Sequence, residues 1–340
     1  MRAFIIDKPG KFTYIDRKKP HPSDTDVLIK VYRLGLCGSD LATFRGLNPL
    51  AGYPRIIGHE VSGIIEESGK DVPLHIKPGM IVTLIPYLNC GWCSSCLTGR
   101  INACKYNQTL GIQCEGASCE YIIIPWQKII ISDDLSFDEL VLVEPLSVGF
   151  HAIRRARVKE NDTVAVFGTG MVGLGSIIGA AAKTSKVVAI DIADVKLALA
   201  QEAGAKFVIN SSTMNLRDKL DVITNGHGPD VIIEAVGLPQ TFRRSVELVS
   251  FAGRVVYIGY VKEEVAYETR HFVMKELDIM GSRNADREDF IAVIDAVRNK
   301  ICDTKHLITK KVSFNEMGRA LKEWSDDPAS ITKIVVEMEA

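Results

Sequence analysis

At 340 residues, 46% of them hydrophobic and 24% charged, the chain has the make-up of a soluble globular protein and is too long for one ordinary core, so two domains are expected. A formal net charge of −1 gives no general attraction to nucleic acid or to an anionic membrane, and no window reaches the apolar length needed to cross a bilayer. The opening Met1–Asp7 carries an apolar run too short for a secretory signal; this points to the cytoplasm, where eight cysteines serve metal or catalysis rather than disulfides.

Residues 1 to about 145 alternate short β-like runs with turn residues. Ala3–Ile6, Val27–Arg33, Val61–Glu66, Ile81–Tyr87 and Tyr121–Pro125 read as strands, broken at Pro9-Gly10 and at Lys77-Pro78-Gly79, which predicts a mostly β domain. Inside it lies Cys90-x2-Cys93-x2-Cys96-x7-Cys104, with Gly91 and Gly99 supplying turns. Four thiolates so closely spaced can close around one metal as a tetrahedron, and an all-sulfur closed shell is the form of structural zinc, here in a lobe at about residues 88–106. With every position filled by protein, this site does no chemistry.

A second set of potential ligands is dispersed. Cys37-Gly38-Ser39-Asp40, Gly58-His59-Glu60 and Glu144-Pro145-Leu146 each sit at the end of a β-like run, and a catalytic zinc needs three such ligands and an open position. Taken singly, Cys37 can be a small core residue, His59 a hydrogen-bonded core histidine and Glu144 a helix N-terminal acid. Spacing alone does not bring them together.

From about Leu146 to Arg283 strands and helices alternate. Apolar runs at Val164–Phe167, Val187–Ile190, Phe207–Ile209, Val231–Val236, Val255–Ile258 and Leu277–Met280 suffice for a six-stranded parallel sheet. The first run turns through Gly168-Thr-Gly170-Met-Val-Gly173 into a small-residue helix, and the second ends on Asp191. Gly168 permits the turn, Gly170 lets backbone approach a pyrophosphate, and Gly173 lets helix and sheet pack closely. A carboxylate at Asp191 suits a ribose 2′-hydroxyl and repels a 2′-phosphate, and no Arg or Lys follows at once, so NAD is favoured over NADP. Met171, Val172, Ile192, Val236 and Ile258 are counted with these residues as cofactor-binding. The cluster Arg154-Arg155-Ala-Arg157 reads as a solvated helix end. The tail from about Asn284 offers helices at Arg287–Asn299 and Asn315–Ser325 and a last strand, Ile331–Met338, and is expected to return to the first domain.

Carried by these motifs, nearly the whole chain resembles the zinc-dependent medium-chain alcohol and polyol dehydrogenases, including sorbitol and threonine dehydrogenases. The resemblance implies an α/β chain: a doubly wound Rossmann domain at 146–283, a GroES-like catalytic domain from 1–145 and 284–340, and a catalytic site in the cleft between them. It makes Cys37, His59 and Glu144 ligands of a catalytic zinc, with Glu60 a direct ligand or one exchanging with water, hence two zinc ions per subunit. Glu144 stands where alcohol dehydrogenases proper carry a second cysteine, as in the polyol branch. The reaction implied is oxidation of a secondary alcohol, zinc lowering the hydroxyl pKa and hydride passing to the nicotinamide, with Ser39 accepting the alcohol proton. Family members often have His where this chain has Ala42, so the outer proton relay runs through water, the cofactor ribose or another group.

Ser118 stands where relatives commonly carry a pocket-lining aromatic, which suggests a polar substrate, and Arg45 or Arg283 can present a guanidinium to a carboxylate. Ile85-Pro-Tyr-Leu-Asn-Cys90 and Gly281–Phe290 resemble bacterial enzymes that oxidise C5 of aldonates such as L-galactonate, L-gulonate or L-idonate. The substrate expected is thus a sugar acid, L-gulonate or L-galactonate going to fructuronate or tagaturonate. The alternatives are a polyol or sugar-alcohol phosphate dehydrogenase and a non-catalytic NAD-sensing regulator. Homodimers or homotetramers are implied by the family, through the strand near Leu277–Met280. Cys114, Cys119 and Cys302 are expected to be idle thiols.

Overall fold

A computed structural model of the chain describes residues 1–301 and 303–338, so Cys302 lies outside the described residues. It divides into two compact units, Met1–Glu144 with Leu307–Ala340, and Pro145–His306.

The first unit is built around the strand Asp26–Leu36. Its eleven residues are long enough for two partners to share one edge: Tyr121–Pro125 pairs with its first half and Ile334–Glu337 with its last. On the other edge it pairs antiparallel with Glu60–Ser68, with register slips at Leu28/Ile29 and Val31/Arg33. Such slips sharpen the twist of a strand and help a sheet curl round its own core. That core contains Phe4, Ile29, Leu34, Ile65, Leu84, Phe314, Leu321 and Ile334, each wholly buried or nearly so. Burial of each is worth roughly 1.5–3 kcal/mol. The expected run Ile81–Tyr87 divides into strands Ile81–Leu84 and Tyr87–Leu88, with Pro86 between them; its ring nitrogen has no hydrogen to give a ladder.

The second unit carries six parallel strands in the order Phe207–Asn210, Val187–Asp191, Val164–Phe167, Val231–Glu234, Arg254–Tyr257, Asp278–Gly281. Counted along the chain this is 3-2-1-4-5-6, the doubly wound arrangement whose order reverses between the first strand and the fourth. The central strands are buried on both faces, so their sequences run as Val-Ala-Val-Phe and Val-Ile-Ile, the latter closed by Glu234.

Two expectations need correction. Residues 284–306, placed with the first domain from the sequence, belong to the second, because helix Arg287–Arg298 is tied there through Asp289. This buried carboxylate meets His151 Nδ1 at 2.8 Å and takes Arg154 Nε at 2.8 Å. Burial opposes the charge, but the His151 and Arg154 donors outweigh it and hold the carboxyl at about 2. The basic cluster is accordingly more than a solvated face: Arg154 also bonds Asp286, and Arg157 bonds Asp278. A helical pattern reveals that one face is apolar, and does not say which neighbour covers it. No helix of the described residues is long and apolar enough to cross a membrane.

Candidate metal and dinucleotide sites

The four-cysteine segment closes on itself. Ligand atoms of Cys90, Cys93, Cys96 and Cys104 all lie within 4.8 Å of one another, with Cys93 Sγ 3.5 Å from Cys96 Sγ and 3.8 Å from Cys104 Sγ. Gly91 and Gly99 adopt φ of +82° and +80°, the left-handed turns on which the loop closes. A hydroxyl from Ser95 and neighbouring backbone N–H groups lower the Cys93 thiol to about 5, toward the thiolate that a metal binds. The chemistry of this donor set fits a zinc ion with no open position.

The dispersed set is assembled by the sheet. Cys37 follows the strand Asp26–Leu36 and caps the helix Gly38–Phe44, while Glu60 begins the neighbouring antiparallel strand and His59 immediately precedes it. Antiparallel pairing sets the end of one strand against the start of the next, here Gly35 opposite Glu60, so ligand atoms of Cys37, His59 and Glu60 come within 4.8 Å of one another. A Cβ on Gly35 would stand 2.0 Å from Glu60 Oε2, so the carboxylate occupies space that only glycine leaves. Glu144, at the start of helix Val143–Ala156, stands outside that trio but is near enough for its charge to act on His59. Its Oε1 accepts the phenol hydroxyl of buried Tyr87.

Three further residues complete the arrangement, and none was singled out from the sequence. Asp40, wholly buried, accepts the N–H of Cys37 (2.8 Å) and of Gly58 (3.1 Å), fixing both ligand-bearing turns, and lies 4.0 Å from His59 Nδ1. Tyr87 orients Glu144. Lys333, 2% exposed, donates to both oxygens of Glu60 at 2.6 Å and to the Leu36 carbonyl at 3.0 Å. The signal for Lys333 was available: a lysine set into the apolar run Ile331-Thr-Lys-Ile-Val-Val336, where a charge needs a partner.

The buried electrostatics fit a cation. Burial lifts the carboxyls of Asp40 and Glu144. Burial alone would strip the proton from His59, but the Cys37 sulfur, Asp40 and Glu144 outweigh it and push the imidazole well above its ordinary range. Cys37, Asp40, Glu60 and Glu144 gather acidic groups around the single ammonium of Lys333, a balance that a divalent ion improves. The buried hydroxyl of Ser39 and His59 Nδ1 have no hydrogen-bond partner among the described residues. Sulfur, imidazole and carboxylate together are the donors zinc takes in catalytic sites.

In the second unit the glycine turn has the form the sequence implies. Gly168 holds φ +87°, and a Cβ on Gly173 would lie 1.9 Å from the Gly168 carbonyl, so the helix Met171–Ala181 leaves the turn at contact distance. Gly170 caps that helix, and a Cβ there would meet nothing within 4 Å, which leaves open space at a helix N-terminus. Met171 is buried, while Ile192 and Val236 are exposed at the strand ends. Asp191 Oδ2 accepts the N–H (2.8 Å) and hydroxyl (2.9 Å) of Thr169, and Oδ1 accepts the N–H groups of Ile192 (2.7 Å) and Ala193 (3.1 Å). Thr169, overlooked in the sequence, thus locks the glycine turn to the acidic residue.

The expected substrate residues fare differently. Ser118 is wholly buried and donates to the Phe4 carbonyl at 3.0 Å, so it lines no surface a substrate reaches. Arg45 gives its guanidinium to the helix Met317–Asp326, donating to Ser325 Oγ at 2.9 Å and to the Ser325 carbonyl. Arg283 is exposed beyond the sixth strand. Cys119 is buried, its thiol pushed up to about 12 by desolvation, and burial also raises the Cys114 thiol, so both are poor nucleophiles.

Comparison with known proteins follows the same division. Residues 23–134 match the family of alcohol dehydrogenase GroES-like domains and residues 172–299 that of zinc-binding dehydrogenases. The chain is 32% identical to L-galactonate-5-dehydrogenase of Escherichia coli (strain K12) over 86% of each chain. It is 32% identical to sorbitol dehydrogenase of Bacillus subtilis (strain 168) over 95% of this chain and 93% of that one. Among solved structures it is similar to an alcohol dehydrogenase, rspB of E. coli CFT073, crystallised with NADH, with TM-score 0.93 and 30% identity over 99% of both chains.

Proposed function

The chain belongs to the zinc-dependent medium-chain alcohol and polyol dehydrogenases, an oxidoreductase family using zinc and NAD, and from that premise we propose that it oxidises a secondary alcohol on a sugar acid. The leading substrates are L-gulonate and L-galactonate at C5, giving fructuronate or tagaturonate. The observation that carries the reading is the convergence of Cys37, His59 and Glu60 beside the partnerless hydroxyl of Ser39. The similarity to L-galactonate-5-dehydrogenase supports the substrate class.

A zinc ion held there would supply Lewis acidity toward the alcohol, and a bound nicotinamide would supply the hydride acceptor. The residues divide the remaining work. Cys37, His59 and Glu144 would hold the metal, Asp40 fixes the Cys37 and Gly58 turns that carry two of these ligands, and Tyr87 donates to one oxygen of Glu144. Lys333 holds both oxygens of Glu60, a carboxylate that would serve as a further ligand to the metal. Ser39 Oγ, buried and free to turn, takes the alcohol proton and passes it outward. With Ala42 in place of an imidazole, that outward path uses water or a cofactor hydroxyl, and such a path weakens the pH dependence an imidazole would impose. In the cofactor unit, Gly168, Gly170 and Gly173 receive the pyrophosphate. The Asp191 carboxylate has already filled about four acceptor positions, so a ribose hydroxyl reaching it displaces the Thr169 hydroxyl, the partner able to swing aside. Arg283, exposed beyond the sixth strand, is the guanidinium we assign to the substrate carboxylate.

The test is NADH formation by zinc-loaded protein over a panel of aldonates, neutral polyols and polyol phosphates. Turnover greatest on a C5-hydroxy aldonate, with KM for it raised in Arg283→Leu and KM for neutral polyols unchanged, supports the reading; turnover confined to polyols or their phosphates removes the carboxylate. A regulator that only senses NAD would keep its ligand response in Cys37→Ala, where an enzyme loses turnover.

A further inference from the structure

Glu234 ends the fourth strand of the parallel sheet and is wholly buried. Its Oε1 accepts the N–H groups of Val236 (3.0 Å) and Gly237 (2.8 Å) and the hydroxyl of Thr241 (2.7 Å). Its Oε2 is buried with no hydrogen-bond partner among the described residues. The backbone carbonyl of the same residue takes the N–H groups of Ile258 (2.9 Å) and Gly259 (3.1 Å). One residue therefore fastens, by side chain and main chain, the loops that follow the fourth and fifth strands. The fit admits no addition: a Cβ on Gly259 would lie 2.5 Å from Gly237 N and 2.6 Å from Glu234 Oε2, and one on Gly168 would lie 2.8 Å from Val236 Cγ2.

The position in the sheet gives this cluster a use. The first and fourth strands are neighbours at the point where strand order reverses, and a dinucleotide lies across such a point with one mononucleotide on each half. Asp191, ending the second strand, marks the adenosine half, which leaves the loops after the fourth and fifth strands for the nicotinamide half. The donors to Glu234 are two backbone N–H groups and a hydroxyl, all neutral, and no ion pair reaches it among the described residues, so its charge is not cancelled locally. A charge surrounded by protein is felt at longer range than one in water. The oxidised nicotinamide ring is a cation and the reduced ring is not.

We propose that Glu234 is a positioning residue of the cofactor site, which shapes the loops receiving the nicotinamide half and whose negative charge makes that site prefer NAD+ to NADH. This rests on the reading that the glycine turn and Asp191 hold the dinucleotide. It predicts that the two roles separate on substitution. Shape serves both redox forms alike, whereas charge serves only the cation.

The test measures dissociation constants of NAD+ by calorimetry and of NADH by fluorescence, on the zinc-loaded full chain. In Glu234→Gln, which keeps an acceptor at Oε1 and removes the charge, the constant for NAD+ rises on the order of tenfold and that for NADH by no more than about threefold. Equal changes in both constants, or none in either, overturn the proposal. Should that variant fail to fold, Thr241→Val removes one neutral donor and keeps the charge. Both constants then rise together, by about threefold, and unchanged constants overturn the positioning role. Asp191→Ala keeps the two failures apart: if it leaves both affinities at the wild-type level, the dinucleotide reading falls and takes the proposal with it, whereas weakened binding there with an indifferent Glu234→Gln defeats the proposal alone.

Discussion

Replacing Lys333 by Met is expected to destabilise the first unit by about 3–5 kcal/mol, the usual cost of leaving one member of a buried ion pair without its partner. The three ammonium protons are all in use, on Glu60 Oε1 and Oε2 at 2.6 Å each and on the Leu36 carbonyl at 3.0 Å, in a place where lysine is 2% exposed and Glu60 not at all. Methionine fills much of the same space and donates nothing. For a unit of this size each kcal/mol moves the melting midpoint by roughly 2–4 °C, so a fall of about 6–20 °C is expected by circular dichroism in chelator-stripped protein. Adding Glu60→Gln on the Met background removes the orphaned charge and recovers a large part of the loss, giving a strong coupling in the double-mutant cycle. Zinc-loaded protein should lose less than stripped protein, because a metal offers Glu60 a second partner. A single variant that melts within about 1 °C of the wild type when stripped would show that the ammonium is not what compensates Glu60.

Tyr87→Phe removes the donor that fixes Glu144 and should weaken zinc binding at the catalytic site by roughly 10–100-fold, seen as faster release of one of two zinc populations to a chelator while the cysteine lobe keeps its own. Cys93→Ser opens the closed sulfur site, and metal analysis of the purified protein should find about half the zinc of the wild type. Asp289 titrates at about 2 in the folded protein against about 3.9 in an unfolded chain, so its ionisation stabilises the fold above pH ~4 and that contribution is lost as pH falls toward 2. Denaturant unfolding should therefore separate wild type from Asp289→Asn by on the order of 2 kcal/mol at pH 7, and the gap should close on acidification; a gap independent of pH would refute the assignment.

What the sequence revealed depended on how far apart the participants lie along the chain. Cys90, Cys93, Cys96 and Cys104 span one loop, and Gly168, Gly170 and Gly173 one turn, so spacing alone specified their geometry. The parallel strands were legible for a related reason: the inner ones, buried on both faces, are almost wholly apolar, and the helices between the strands separate the runs cleanly. Lys333 was missed because its partner is 273 residues away and only the pairing of Ile334 with Leu36 brings it there. Ser118 and Arg45 were misjudged because a motif fixes where a residue stands and leaves open which way its side chain turns. Ser118 turns inward to Phe4 and Arg45 toward Ser325. The helix Arg287–Arg298 was assigned to the wrong unit because its partner, the pair His151 and Arg154, is a buried polar contact that hydrophobic periodicity does not register.

The metal-binding edge owes its accuracy to register rather than to any one ligand. Glu60 lies opposite Gly35, and Leu36 opposite Ile334, so three paired strand ends set side by side a carboxylate that begins one strand, a thiol just past the end of another and an ammonium just before the start of the third. In a sheet, a slip of one residue turns each side chain to the other face, which here would bury nothing useful and strand Glu60 away from Lys333. The core on both faces, with Leu34, Leu36, Ile334, Val335 and Val336 wholly buried, disfavours that slip, since each of these side chains would have to pack into space shaped for its neighbour. Hydrophobic burial thus does more than stabilise the unit. By disfavouring the alternative register it fixes where the acidic groups stand, and the excess of acid over ammonium at that edge is what makes a divalent cation the natural occupant.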